Sequence, residues 1–402
     1  MKQSIISFLL FISSISLFGQ VDFENKYSTF GIIAVDTVDN TWGCAFATNN
    51  IAIGQAGVYE IAPDKGIIAS IAYTNPNYPL KGIELLKQGE SLTMVFDSIS
   101  KTDNFLFYRQ IAMLDSAGNT LGFTGSTIKS CSHAGTLKGN GYVVLGNSLA
   151  NDTVLKAIEN GFVGSADRLY KRLLRGLKAG QEAGGQATGK MSAAMCVKRS
   201  GLLGFNDVDY RVDYSETPFN DLQRLVDKRS GITLLRRANR TAHKDSVLYL
   251  LREASTLLEG WTMLYPEIAK SYYRNGYEEK AVDVLANRLA ADSLFVGFLP
   301  SCYFLKANER YQQLIAKREF DLHNWLEAVY ALIDFGMNEE AIKVGTRLID
   351  KYEDCSYLHF LVGKAYRKLK DGDNAMKYYQ TAVRLDAGNM EAKSELDRLK
   401  KK

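Results

Sequence analysis

Proline, histidine and tryptophan are scarce, at 6, 4 and 3 of 402 residues, and each scarcity excludes something. So few prolines, beside 46% hydrophobic and 23% charged residues, argue against long disordered or proline-rich linkers. The histidines, His133, His243, His323 and His359, lie in separate segments, so a metal site built from paired histidines is not expected. Five cysteines (Cys44, Cys131, Cys196, Cys302 and Cys355) include no Cys-x-x-Cys, which argues against a disulfide framework and leaves at least one cysteine without an intrachain partner. No Gly-x-x-x-x-Gly-Lys-Ser/Thr phosphate loop occurs, and a net charge of +4 is too small to imply nucleic acid or a membrane surface. No cofactor, metal or nucleic-acid partner is therefore expected.

Length alone favours two or three domains. Lys2 followed by the apolar residues of 5–18 has the charged start and short apolar core of a secretory signal peptide over residues 1–19, with cleavage expected at Gly19-Gln20. An uncleaved anchor is the alternative, but the run carries four serines and falls short of the roughly 20 residues that span a bilayer. A periplasmic or secreted protein without a transmembrane segment after signal removal is the expectation. In that setting the apolar surroundings of Cys44 and Cys196 mark them as small buried hydrophobes.

From residue 28 to 215 the pattern alternates β-type and helical runs. Strands are expected at 30–35, 43–47, 66–73, 110–114, 121–124, 141–145, 191–197 and 208–212, with a hairpin turn through Asp115-Ser116-Ala117-Gly118-Asn119. Helices are expected in two pairs. Residues 80–88 end at Gly89 and Ser91 caps the next; residues 152–159 end at Gly161, and Ser165 caps a helix to about 180. On that last helix Arg168, Lys171, Arg172, Arg175 and Lys178 share one face while Leu169, Leu173 and Leu177 turn inward. A solvated face explains the cations, although it could also meet an anionic cell-wall polymer.

Residues 216–244 read as a connecting basic helical segment, and residues 245–402 as helices only. Similar phrases end at Ala281, Ala341 and Ala375, the last two 34 residues apart, which is the tetratricopeptide period. Gly363, Tyr366, Tyr379 and Ala382 stand where small and aromatic residues let paired helices interlock. Such repeats are expected to hold a peptide or protein partner.

One placement carries chemistry. Thr29 opens the first core strand, Thr29-Phe30-Gly31-Ile32-Ile33-Ala34-Val35-Asp36, and a threonine freed at its own amine can serve as both nucleophile and base. Without cleavage before Thr29 the same stretch is an apolar strand whose Gly31 admits a close neighbour. Ser28 and Cys44 are weaker nucleophile candidates. Cys131-Ser132-His133 could pair a thiol with a base, but no third orienting group is evident, so a loop without chemistry is favoured.

Several ordered phrases extend this reading: Ile51-Ala52-Ile53-Gly54; Thr74-Asn75-Pro76-Asn77-Tyr78 and Gly82-Ile83-Glu84-Leu85-Leu86-Lys87-Gln88-Gly89; Arg109-Gln110; Gly141 through Asn147; Ala179 through Gly185; and Asp209-Tyr210-Arg211-Val212-Asp213. On these, residues 28–213 resemble the bacterial domain of unknown function 1028 family, grouped with the N-terminal-nucleophile hydrolases. The resemblance implies an α+β, four-layer αββα sandwich ahead of the all-α repeats, and no settled substrate. Gln186, Thr188 and Met191 stand where the family usually shows Asp, Arg and Gln. An amide-containing or cell-wall substrate would be attacked by Thr29, with Asn75 or Asn147 steadying the oxyanion and Arg109 a further site candidate. The same residues have structural uses: Asn75 as a cap, Asn147 on buried backbone, Arg109 beside an acid. An amidohydrolase and a non-catalytic cell-envelope binding or scaffold protein are thus the two functions to be separated.

Overall fold

The computed structural model describes residues 28–130, 133–201, 206–316 and 318–400. Residues 1–27, which hold the expected signal peptide and its cleavage point, lie outside the described residues, as do Cys131 and Ser132. The chain divides after Val226 into two compact units.

The first unit contains two antiparallel sheets. One has six strands, in the order β10-β9-β2-β1-β8-β7: β1 (Thr29–Asp36), β2 (Thr41–Thr48), β7 (Gly135–Gly139), β8 (Tyr142–Asn147), β9 (Ser192–Arg199) and β10 (Asn206–Val212). The other has four, in the order β3-β4-β5-β6: β3 (Tyr59–Ala62), β4 (Gly66–Ala72), β5 (Arg109–Asp115) and β6 (Thr120–Thr124). Strand alternation sorts the side chains into layers. Ile33, Cys44, Phe46, Ile67, Ala112, Leu145 and Cys196 fill the space between the sheets. Phe30, Ile32, Ala45 and Val144 point away, into a layer made by α4 (Val154–Val163) and α5 (Leu169–Glu182). Ile68, Ile111 and Met113 do the same beneath α1 (Asn77–Lys87) and α2 (Leu92–Ser100). The order α, β, β, α is the expected four-layer sandwich.

Local chemistry explains where expectation and structure part. Ser91 caps α2, accepting from Met94 N–H at 3.3 Å. Ser165 does not cap α5; its hydroxyl bonds Asp167, and α5 begins beyond Arg168. Gly161 does not end α4 but lies within it, because there α4 crosses α5 so closely that a Cβ would sit 3.1 Å from the Gly176 Cα. Strand β3 and strand β7 are additions to the expected set. Tyr59-Glu60-Ile61-Ala62 is short, and Gly135-Thr136-Leu137-Lys138-Gly139 is bounded by glycines, so neither has a β-rich pattern. A further short helix, α3 (Ser126–Ser130), follows β6.

Helix α6 (Pro218–Ala238) contributes Phe219, Leu222 and Val226 to the core of the first unit, and Leu235 and Ala238 to the core of the second. The second unit then runs through α7 (Lys244–Leu257), α8 (Tyr265–Arg274), α9 (Glu278–Ala291), α10 (Glu309–Ile315), α11 (Leu322–Asp334), α12 (Asn338–Ile349), α13 (Ser356–Lys368), α14 (Gly372–Leu385) and α15 (Met390–Lys400). Helices α8 with α9, α11 with α12 and α13 with α14 form the packed pairs. Ala281, Ala341 and Ala375 are each fully buried where a pair closes. Five residues before each stands a left-handed backbone turn, at Gly276 (φ 81°), Gly336 (φ 75°) and Lys370 (φ 66°). Between the first pair and the second, 3-10 turns at Ser293–Phe298 and Pro300–Leu305 and the short α10 interrupt the period.

Candidate functional site

Thr29 is the first residue of β1, and it lies directly across from Thr48 of β2 on one side and Asn147 of β8 on the other. Alternation turns it the same way as Gly31 and Ile33, toward the second sheet. Its hydroxyl donates to the Thr48 hydroxyl at 3.1 Å, which donates in turn to the Ser28 carbonyl at 2.7 Å. Asn147 donates from Nδ2 to Gln110 Oε1 at 3.0 Å, and Gln110 is a fully buried residue of the opposite sheet. Gln110 Nε2 lies 2.8 Å from the Gly146 carbonyl and 3.0 Å from that of Gly135. A neutral amide thus ties the two sheets together beside Thr29.

Ser28 precedes the strand and is itself fully buried. Its N–H donates to Asn49 Oδ1 at 2.8 Å, and its carbonyl also accepts from the Asn49 N–H at 3.3 Å. Its hydroxyl donates to Gln186 Oε1 at 3.0 Å and lies 2.9 Å from the Thr188 hydroxyl. Asn49 Nδ2 reaches that same Thr188 hydroxyl at 2.6 Å. Gln186 is 5% exposed, and its Nε2 is buried without a hydrogen-bond partner. Ser192 anchors the adjoining loop, donating to the Asn50 carbonyl at 2.7 Å and accepting from Ile53 N–H at 3.2 Å.

Every side chain in this network is a hydroxyl or a carboxamide. Among the described residues none of these side chains supplies a base near neutral pH, so within this network the chemistry open to Thr29 depends on its own amine, which here is an amide bonded to Ser28. Thr29 is 8% exposed.

The remaining candidates fall elsewhere. Arg109 points to the outer face of β5, away from Gln110, and forms a bidentate pair with Asp103 at 2.8 and 3.1 Å. Arg109 also donates to the Tyr73 carbonyl and stacks over the Tyr73 ring at 4.6 Å. Tyr78 donates to the same carboxylate at 2.7 Å, and the Phe105 N–H at 2.9 Å. Burial alone would raise the Asp103 carboxyl, but the hydrogen bonds from Arg109, Tyr78 and Phe105 and the Arg109 charge hold it at about 2. Asn75 lies two residues before α1 and makes a local turn, its Oδ1 accepting from Asn77 N–H at 3.0 Å, while Pro76 holds the N-cap position; it lines a groove of about 700 Å³ with Tyr78, Lys81 and Glu84 on the α1–α2 side. Thr29 and Asn147 are therefore brought together, whereas Arg109 has the expected acidic neighbour and Asn75 closes a turn ahead of α1 instead of capping it. The Cys44 thiol is pushed well up by burial and by its neighbour Cys196, which keeps it protonated and unreactive. His133 lies in a turn with Nδ1 2.6 Å from Asp152.

Sequence reasoning missed Thr48, Asn49 and Gln110 as partners of this site. Thr48 and Asn49 close β2 with a polar pair after an apolar run, and Gln110 interrupts an otherwise apolar strand. Both are readable signals of a polar cluster at one end of a sheet.

The family described as "Family of unknown function (DUF1028)" matches residues 29–222. Residues 29–222 form a DUF1028 domain. The crystal structure of SPO2555 from Silicibacter pomeroyi, of the same family, is 29% identical over 50% of this chain and 86% of its own, with a TM-score of 0.46. The helical DUF1028-following unit resembles tetratricopeptide-like MamA from Desulfovibrio magneticus RS-1, at 14% identity over 43% of this chain and 83% of that one, with a TM-score of 0.23. No curated protein matches the chain. Among the described residues no helix is long and apolar enough to cross a membrane.

Proposed function

We propose that the DUF1028 domain is an exported amide hydrolase held masked by Ser28, and that the helical unit binds a peptide or protein. Cleavage of the Ser28–Thr29 bond converts the Thr29 nitrogen from an amide into an amine. Thr29 Oγ1 then adds to the substrate carbonyl carbon while its proton passes to that amine. The carbon–nitrogen bond breaks, the amine returns the proton to the leaving nitrogen, and water hydrolyses the Thr29 ester by the same route. The observation that carries this reading is the placement of Thr29 between Thr48 and Asn147, with its hydroxyl on that of Thr48, in a network that holds no other base among the described residues.

A non-catalytic platform is the second reading, and the full burial of Ser28 with its N–H, carbonyl and hydroxyl all bonded favours it. Intact mass of the protein recovered from its native host separates the two. The hydrolase reading expects a chain beginning at Thr29, labelled by a hydroxyl-directed acylating probe, with labelling lost in Thr29→Ala and rising with pH through about 8 as the amine deprotonates. A mature chain that keeps Ser28 and labels equally in Thr29→Ala establishes the platform. Fractionation tests export independently: full-length protein retained in the cytoplasm would defeat it.

A further inference from the structure

We propose that the pocket occupied by Ser28 is the acyl-side subsite of this enzyme, shaped for a small uncharged side chain bearing a hydroxyl. The inference rests on the hydrolase reading above. In threonine the nitrogen and Oγ1 are joined through Cα and Cβ, so an acyl group on either atom lies across the same five-membered ring. The residue now attached to the Thr29 nitrogen consequently marks the space that a substrate residue esterified to Thr29 Oγ1 must share.

That space is built for recognition. The backbone of Ser28 is held at its N–H by Asn49 Oδ1 and at its carbonyl by the Thr48 hydroxyl and the Asn49 N–H, three contacts that any peptide unit could repeat. Its side chain meets Gln186 Oε1 at 3.0 Å and the Thr188 hydroxyl at 2.9 Å; Thr188 keeps its bond from Asn49, but a substrate without a hydroxyl there leaves the buried Gln186 Oε1 unanswered. Gln186 Nε2, buried and without a partner, adds a donor that an acceptor oxygen could satisfy. Ser28 is completely enclosed, so a leucine-sized side chain would need its surroundings to shift. Asn49, Gln186 and Thr188, which bond Ser28, are neutral, so a buried carboxylate or ammonium there would lose hydration without an opposite charge from them to offset it.

The test uses protein in which intact mass has verified a free Thr29 amine, and a set of acetyl-Xaa anilides with Xaa as Ser, Ala, Leu, Lys or Asp. The serine anilide should exceed the alanine one by about tenfold in kcat/KM, and the leucine, lysine and aspartate anilides by about a hundredfold. Gln186→Leu should bring the serine-to-alanine ratio close to one. Thr188→Val, at an exposed position, should lower the same ratio and keeps the test standing should Gln186→Leu fail to fold. If the probe labels Thr29 but leucine is preferred, or the ratio survives both variants, the subsite is overturned and the hydrolase stands. A free Thr29 amine with no labelling overturns both.

Discussion

Arg109 and Gln110 are neighbours on β5, yet they serve opposite faces of one sheet by opposite means. On the outer face the Arg109 guanidinium and the Tyr78 phenol gather on the Asp103 carboxylate, a cluster built on an ion pair. On the inner face Gln110 joins Asn147 and backbone carbonyls through bonds between neutral groups. Both are buried and both are satisfied. The difference is that the outer cluster responds to loss of one partner and to acid, whereas the inner one, made of neutral groups, responds only to loss of a partner.

The largest effect separating the two should come from Asp103→Ala, which strands a buried guanidinium and is expected to cost about 3–5 kcal/mol. Urea unfolding measures it, and Asp103→Leu combined with Arg109→Met should cost much less than the single change, because no unpaired charge remains. If the double variant is the worse, the pair is held by something other than its charges. Next, Gln110→Leu should cost about 2–3 kcal/mol, since the Gly135 and Gly146 carbonyls lose their donor and Asn147 its acceptor. A loss below about 0.5 kcal/mol would mean that water replaces the amide.

Acid sharpens the comparison further. Asp103 titrates at about 2 in the folded chain against 3.8 as its ordinary value. Its contribution is therefore fully present above about 4 and is lost as pH falls toward 2. Asp103→Asn should flatten that part of the stability profile, and Gln110→Leu should leave its slope unchanged. The smallest effect lies in the helical unit: Lys370→Gly, at the left-handed turn where the other two copies have glycine, should stabilise by about 0.5 kcal/mol. Thermal unfolding would register no gain if Lys370 makes a compensating contact.

Much of this was legible because local pattern and burial agree. Continuous apolar runs in 29–36 and 192–199 and the Asn75-Pro76 break before α1 give the sandwich, and the 34-residue spacing of Ala341 and Ala375 gives the paired helices. Thr29 was readable as a site candidate from its place at the head of the first strand, and Asn147 from the family resemblance of Gly141 through Asn147. The rest depended on partners distant in sequence. Whether Arg109 faces inward or outward is decided by a one-residue register in β5, in which Gln110 reaches the other sheet and Arg109 meets Asp103 and Tyr73 on the outer face. Gly161 read as a helix end because the crossing of α5 that demands it comes from another segment. Ser28 gave no signal of burial, since its pocket is assembled from residues 48–49 and 186–188.

Strand β10 forms the outer edge of the six-stranded sheet, and its sequence, Asn206-Asp207-Val208-Asp209-Tyr210-Arg211-Val212, alternates charge with bulk. The pairing of β10 with β9 is irregular between Asn206 and Val208, and Asp207 is drawn to Arg199 at 3.3 Å. An irregular strand that carries ions along a row of unpaired backbone groups is a poor template for another copy of itself. At its β10 edge the sheet that carries Thr29 is thus ill suited to pairing with its counterpart in a neighbouring molecule, the first step of fibre-like aggregation.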